Sequence, residues 1–314
     1  MNIAIIGRHE VLYNTIKLLA DKGFNIGLIV TTKASPEYRI KEDDFEKIAQ
    51  SLGAEFFHTS KINSPEFLSI LRDRIKKYNI QVAVSSNYAN LISQDVIDLF
   101  PLGILNAHGG DLPRYRGNAC QAWAIINQEE KIGLCIHKMV GAEVDAGDII
   151  ARKYLPIDIN TRVGQAYEWM EKVIPVMFLE ALSKLQENPT YVLAYQSENP
   201  KDALRCYPRN PDDGKIDWSM PNDSILRLIN ASSEPFNGAF CQYKGEKIII
   251  WRAEIYQDEE VYLAMPGQVA LLDKNSGSVT VICGQGKLKI TEVQLGDRRD
   301  SPFAFIKSFR ARLS

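Results

Sequence analysis

Over the first 110 residues, short apolar runs alternate with segments whose apolar residues recur at helical spacing. That alternation is the signature of βαβ units around a parallel, Rossmann-like sheet. The runs Asn2–Ile6, Asn25–Thr31, Glu55–Phe57, Val82–Ser85 and Ile104–Ala107 predict five strands. Between them, Val11–Asp21, Glu42–Leu52, Pro65–Tyr78 and Ser93–Leu99 predict crossover helices, the third through Phe67, Ile70, Leu71 and Ile75. Gly23 fits a helix stop, and Ser93 before Gln94-Asp95-Val96 fits an N-cap with an acid in the first turn. Ile132–Lys138 and Ile149–Leu155 predict two more strands around the polar loop Gly141–Asp148, and Thr161 to Leu185 predicts a long amphipathic helix.

The pattern changes after Asn188, where periodicity fades into an extended stretch holding Pro189 and Pro200. Beyond it, the helix-like Ser224–Ile229 precedes β-type runs at Tyr243–Arg252, Gly267–Leu272, Ser278–Cys283 and Leu288–Val293. Gly and Asn-Ser-Gly turns separate these runs, as in a small OB-like β-barrel. The expected organisation is an α/β domain over 1–190, a linker over 191–205 and a smaller β-rich domain over 206–314. A length of 314 residues suits such a division.

Charge and cysteine usage narrow the function classes. With 37 Lys+Arg against 39 Asp+Glu, the chain has no global field for gripping a polyanion, which argues against nucleic acid as a partner. The five cysteines form no C-x-x-C pair, so neither a disulfide framework nor a zinc site is expected. Free thiols fit a reducing cytoplasm. The segment Met1–Gly7 meets Arg8 at once and suits a first strand better than a signal peptide. No apolar stretch reaches the roughly 18 residues of a membrane span, so a soluble, cytoplasmic protein with no membrane partner is expected.

In an open parallel sheet, ligands bind outside the carboxyl ends of the strands. The loop Gly7-Arg8-His9-Glu10 lacks G-x-G-x-x-G, which argues against a nicotinamide dinucleotide. The loop after the fifth strand, Asn106-Ala107-His108-Gly109-Gly110-Asp111-Leu112-Pro113-Arg114-Tyr115-Arg116-Gly117-Asn118, is different in kind. Asn106 and His108, two apart at a strand end, project to one side and offer an amide donor beside an imidazole. Only four histidines exist and none stands in H-E-x-x-H, so no metal is expected. His-Gly-Gly also occurs in esterase oxyanion loops, but the G-x-S-x-G elbow those enzymes need is absent. Taken alone, His108 is either a general acid/base or an imidazole tying down a Gly-rich loop. The carboxylates of Ala142-Glu143-Val144-Asp145-Ala146-Gly147-Asp148 add an orienting partner for it.

Asn106-x-His108, Leu112-Pro113-x-Tyr115-Arg116-Gly117, Trp123-Ala124-Ile125, Gly133 and Val144-Asp145-Ala146-Gly147-Asp148 together resemble the folate-dependent formyltransferases. That family includes methionyl-tRNA formyltransferase and the nucleotide-sugar N-formyltransferases. Tyr207 to Trp218 and Pro235 to Phe240 are similar to the start of the family's C-terminal domain. The resemblance implies 10-formyltetrahydrofolate as co-substrate, no metal, and Asn106, His108 and Asp145 as the catalytic set. It also implies a pterin pocket lined by the backbones of Asn90, Leu91 and Ile92 with Gly141, Val144 and Asp145. Where the family usually has Ser-Leu-Leu-Pro after His-Gly, this chain has Gly110-Asp111-Leu112-Pro113. In the implied reaction an amine attacks the formyl carbon, and Asn106 and His108 donate to the developing oxyanion. Asp145 orients His108, raises its pKa and helps remove the proton of the attacking amine.

The identity of the amine is then a question of charge. A tRNA-formylating enzyme needs a basic surface. Here Thr32–Lys47 carries four basic residues against five acidic, and Cys206–Ser314 carries 14 of each. A nucleotide-linked amino sugar needs only a diphosphate pocket and an aromatic face, for which Arg8, Tyr88, Arg114, Tyr115 and Arg116 are the candidates. The expected reaction is therefore formyl transfer to a UDP- or dTDP-linked 4-amino-4,6-dideoxyhexose in surface-glycan synthesis. Its partners are folate and that sugar nucleotide, with a homodimer among the allowed assemblies. The alternatives are methionyl-tRNA formylation, another amine, hydrolysis of 10-formyltetrahydrofolate, and a catalytically silent relative acting as a binding module.

Overall fold

The computed structural model describes residues 1–141, 143–197 and 199–314. Its first elements are β1 (Asn2–Gly7), α1 (Glu10–Asp21), β2 (Asn25–Thr31), α2 (Glu42–Leu52), β3 (Glu55–His58), α3 (Pro65–Lys77), β4 (Val82–Ser86), α4 (Gln94–Ile97) and β5 (Ile104–His108). There follow β6 (Arg116–Gly117), α5 (Cys120–Ile126), β7 (Lys131–Lys138), β8 (Ile149–Pro156) and α6 (Val163–Glu187). The chain closes with β9 (Arg205–Cys206), α7 (Asn222–Ser232), β10 (Ala239–Tyr243), β11 (Glu246–Tyr256), β12 (Val269–Leu272), β13 (Val279–Ile282), β14 (Lys287–Leu295) and β15 (Arg298–Asp300). Two units form: Met1–Gly117 with Gly133–Tyr154 and Glu168–Arg205, and Asn118–Ile132 with Leu155–Tyr167 and Cys206–Ser314. Residues 118–132 and 155–167 thus pack with the C-terminal unit, and 191–205 pack with the first.

The first unit is a seven-stranded sheet in the order β3-β2-β1-β4-β5-β7-β8. Strands β3, β2, β1, β4 and β5 are parallel, and β7 joins β5 antiparallel. Strand β1 shows why helices cover both faces. Its Ile3 and Ile5 enter one core with Leu12, Phe45 and Phe178, while Ala4 and Ile6 enter a second with Phe67, Leu71 and Val96. A strand buried on both faces reads as a continuous apolar run, which is what Ile3-Ala4-Ile5-Ile6 is. Local chemistry sets the helix ends. The Ser64 hydroxyl accepts from Phe67 N ahead of Pro65, and Gly53 ends α2 in the left-handed conformation. Helix α4 is shorter than the predicted Ser93–Leu99, and Ser93, although at its N-cap, makes no capping hydrogen bond.

The second unit carries an antiparallel sheet in the order β10-β11-β14-β13-β12, with β15 on β14. Helix α7 places Ile225, Leu226 and Ile229 in a core with Trp218, Val279, Val281, Leu288 and Ile290. One expectation is corrected here. Tyr243–Arg252 is not one strand but a hairpin, because Lys244 (φ 53°) and Gly245 (φ 83°) turn the chain between β10 and β11. Two successive left-handed residues match the right-handed twist of the flanking strands. Among the described residues, no helix is long and apolar enough to cross a membrane.

Candidate active site

Strand β5 ends on Asn106 and His108, which lie two apart and share a face. The antiparallel β7 brings a residue that sequence pattern did not single out: His137 pairs directly with Asn106, and Cys135 with His108. Residues directly opposite in an antiparallel pair project to the same side, so Asn106, His108 and His137 stand together. Asp145 reaches them from the loop after β7. Its Oδ2 lies 3.4 Å from His108 Nδ1, and its Oδ1 lies 3.5 Å from His137 Nε2. Gly117 N–H donates to the same Oδ2 at 2.9 Å.

Hydrogen bonds fix how the imidazoles are used. His108 Nε2 lies 2.7 Å from the Tyr115 carbonyl and must carry its proton to donate there. In the neutral ring the lone pair then belongs to Nδ1, on the side of Asp145. His137 Nδ1 donates to the Lys138 carbonyl at 2.8 Å, and its Nε2 lies 3.2 Å from the Asn106 amide nitrogen. At Gly110, the first position of the departure from Ser-Leu-Leu-Pro, there is no room for a side chain. A Cβ there would fall 2.2 Å from Tyr115 O and 2.5 Å from His108 Nε2, in the middle of the bond that holds the imidazole.

The electrostatics bear out the upward pull of Asp145 on the His108 pKa but show that burial outweighs it. His108 is 7% exposed, and desolvation lowers its pKa; the opposing pull of Asp145 and the Tyr115 carbonyl is smaller. Asp145 therefore does not raise the His108 pKa above its ordinary value, and the resting imidazole is neutral near pH 7. Burial works against the Asp145 charge as well. The nearby His137 and His108 imidazoles and the Gly117 N–H nevertheless bring its carboxyl down to about 2.

A carboxyl depressed in the folded state stabilises the fold above its ordinary pKa, and that contribution disappears as the pH falls through the folded value. For Asp145 the window runs from 3.8 to about 2, and the contribution is about 2 kcal/mol. Asp145→Asn is expected to lose about 2 kcal/mol less stability than the parent protein between about pH 5 and pH 2. Urea denaturation at both pH values measures this, and equal losses would mean that the carboxylate is not held by the histidines.

The remaining expected site residues are placed as follows. Leu91, Ile92, Gly141, Val144 and Asp145 line one cleft with Asn106 and His137. Asn90 instead donates to the Ser60 carbonyl at 2.6 Å. Ala142, in the same loop, lies outside the described residues. The Arg8 guanidinium donates to Asn87 O at 2.9 Å and Lys33 O at 2.6 Å, and lies over the Tyr38 ring. The Tyr88 hydroxyl donates to Thr59 O at 2.7 Å, and burial pushes its pKa up to about 12. Arg114 is exposed over the Tyr115 ring, and Tyr115 itself is buried. The Arg116 guanidinium donates to Gln196 Oε1 at 2.9 and 3.3 Å. Among the described residues, no three His, Cys, Asp or Glu side chains are grouped so as to hold a metal ion.

The sequence matches the formyl transferase family over residues 1–182 and the formyl transferase C-terminal domain over residues 209–310. Among solved structures, WlaRD, a sugar 3N-formyl transferase determined with dTDP and 5-N-formyl-THF, is 18% identical, with a TM-score of 0.67 over 95% of this chain and 98% of that one. An N-formyltransferase from Helicobacter canadensis, in complex with folinic acid and dTDP-3-aminofucose, is 15% identical, with a TM-score of 0.65 over 92% of this chain and 97% of that one. HypX from Aquifex aeolicus in complex with tetrahydrofolic acid is 18% identical, with a TM-score of 0.59. The match to HypX covers 98% of this chain but 47% of HypX, so this chain spans about half of that protein. At these identities the likeness is one of fold.

Proposed function

Since this chain belongs to the formyl transferase family, we propose that it transfers the formyl group of 10-formyltetrahydrofolate to the amine of a nucleotide-linked amino sugar. The observation that carries this reading is the convergence of Asn106, His108, His137 and Asp145 beside a cleft lined by Leu91, Ile92 and Val144. Apolar walls next to a few convergent polar groups suit a pterin head. The folate supplies an electrophilic formyl carbon, and the protein supplies the rest. The Asn106 amide donates to the oxygen on which negative charge develops. Neutral His108 keeps its Nε2 proton on Tyr115 O and offers Nδ1 for the proton that the attacking amine must lose. Asp145, ionised near neutral pH, stabilises the imidazolium so formed.

The substrate class rests on charge and on the ligands of the two sugar N-formyltransferases of like fold. The near-neutral balance of the chain leaves no field for tRNA, whereas a diphosphate needs only local cations. Arg8 and Arg114 are assigned to the diphosphate, and the Tyr88 ring to an aromatic face. A UDP- or dTDP-linked 4-amino-4,6-dideoxyhexose, used in cytoplasmic steps of surface-glycan synthesis, is the first choice. The dTDP-3-aminofucose of the Helicobacter canadensis enzyme favours a second reading, transfer to a 3-amino group.

Incubating the protein with 10-formyltetrahydrofolate and a panel of UDP- and dTDP-linked 3- and 4-amino sugars, with initiator methionyl-tRNA as competitor, tests both. Formylation of at least one sugar nucleotide and none of the tRNA is expected. Formylation of the tRNA alone would overturn the substrate class, and folate turnover without any amine would point to a hydrolase.

A further inference from the structure

Gln196 belongs to the stretch 191–205, which sequence pattern marks only as an extended connector, yet its side chain is spent on the active-site loop. Its Nε2 donates to the Asp145 carbonyl at 2.7 Å and to the Gly147 carbonyl at 2.6 Å. Its Oε1 accepts from Arg116 Nη2 at 2.9 Å and Nε at 3.3 Å. Both amide hydrogens and the amide oxygen are therefore used. Rotating the amide by half a turn would set its oxygen against two carbonyls and its NH2 against a guanidinium, so only one orientation is chemically allowed.

The residue being held needs holding. Asp145 has φ 56°, in the left-handed region that residues with a Cβ rarely occupy. Such a conformation persists only where the surroundings over-determine it. Here the carboxylate is fixed by Gly117 N–H and the carbonyl by Gln196. Gln196 is in turn fixed by Arg116, the residue before Gly117. The Arg116 side chain is 14% exposed, and the Glu143 carboxylate lies 4.0 Å from it. Arg116 N donates to the Leu204 carbonyl at 3.0 Å. The ring of contacts closes: Arg116 to Gln196, Gln196 to the Asp145 backbone, and the Asp145 carboxylate back to Gly117.

We infer that Gln196 is a positioning residue which, clamped by Arg116, holds the backbone of Asp145 so that its carboxylate lies between His108 and His137. This rests on the formyl-transfer reading of the same site. It gives Arg116 a task within the protein in place of contact with a diphosphate. Because Gln196 touches only the backbone carbonyls of Asp145 and Gly147 and none of the side chains assigned to the reaction, its loss is expected to slow turnover more than it weakens the binding of either substrate.

The test compares the parent protein with Gln196→Met, which keeps the length but not the hydrogen bonds, and Gln196→Glu. The glutamate keeps the Arg116 contact and turns an oxygen toward the two carbonyls. Both variants are expected to lower kcat about tenfold or more, with KM for folate and amine within about threefold. The second readout needs no substrate: hydrogen exchange of the Gly117 amide, which donates to Asp145, is expected to speed up about tenfold or more in both variants. An unchanged Gly117 amide together with parental kcat in either folded variant would overturn the inference. A faster Gly117 amide in a protein that transfers no formyl group would overturn the proposed function and leave the positioning by Gln196 standing.

Discussion

Asn106→Ala is expected to lower kcat for formyl transfer about 100- to 1,000-fold while folate binding stays near that of the parent protein. The expectation follows from where the amide sits. Asn106 lies in the middle of β5, its register with β7 fixed by the pairing with His137. Its Nδ2 lies 3.2 Å from His137 Nε2, so the amide plane does not have to be ordered when the reaction begins. A donor preorganised in this way interacts most strongly with charge that develops only in the transition state. Its removal should therefore appear in kcat and kcat/KM alike, with KM little changed. Steady-state kinetics with parallel measurement of folate binding decides the matter. A loss smaller than about tenfold would place the stabilisation of the oxyanion on some other group.

Gly147→Ala is expected to cost about 2–3 kcal/mol of stability and more than tenfold in turnover. The loop between β7 and β8 closes tightly: Lys138 N donates to the Asp148 carbonyl at 2.9 Å, and a Cβ on Gly147 would fall 1.8 Å from the Lys138 carbonyl oxygen. Both atoms in conflict are anchored to backbone, so no side chain can swing away to make room. The loop would have to lift from β7, taking with it the Gly147 carbonyl that Gln196 grips and, two residues away, Asp145. Thermal unfolding and kcat measured on one preparation test this. Parental values of both would show that the loop has slack that its geometry denies.

The first unit was legible because its signals are local. Helix α2 spans Glu42–Leu52 as its periodicity predicts, and the five parallel strands lie where the apolar runs are. Asn106 and His108 were legible for a similar reason: two residues apart on a strand, they share a face whatever surrounds them. The hairpin at Lys244-Gly245 was not, since lysine carries no turn signal and adopts φ 53° there only because the two strands pair. His137 was missed because its approach to Asn106 depends on the register of β7 against β5, and no local pattern encodes a register between strands so far apart in sequence. Tyr115 reads as a stacking platform in the sequence. In the fold its ring is buried and its carbonyl holds His108.

By itself, then, the sequence determined the α/β and β-rich units, the strand end that carries Asn106 and His108, and the family. These follow from periodicity and short motifs, whose physical basis is the geometry of a few neighbouring residues. The tertiary structure decided which second histidine joins them, that His108 rests neutral, and that Gln196 and Arg116 face the loop that carries Asp145. Each of these depends on burial or on contacts between distant segments: desolvation outweighs a nearby carboxylate only once the chain has closed around both.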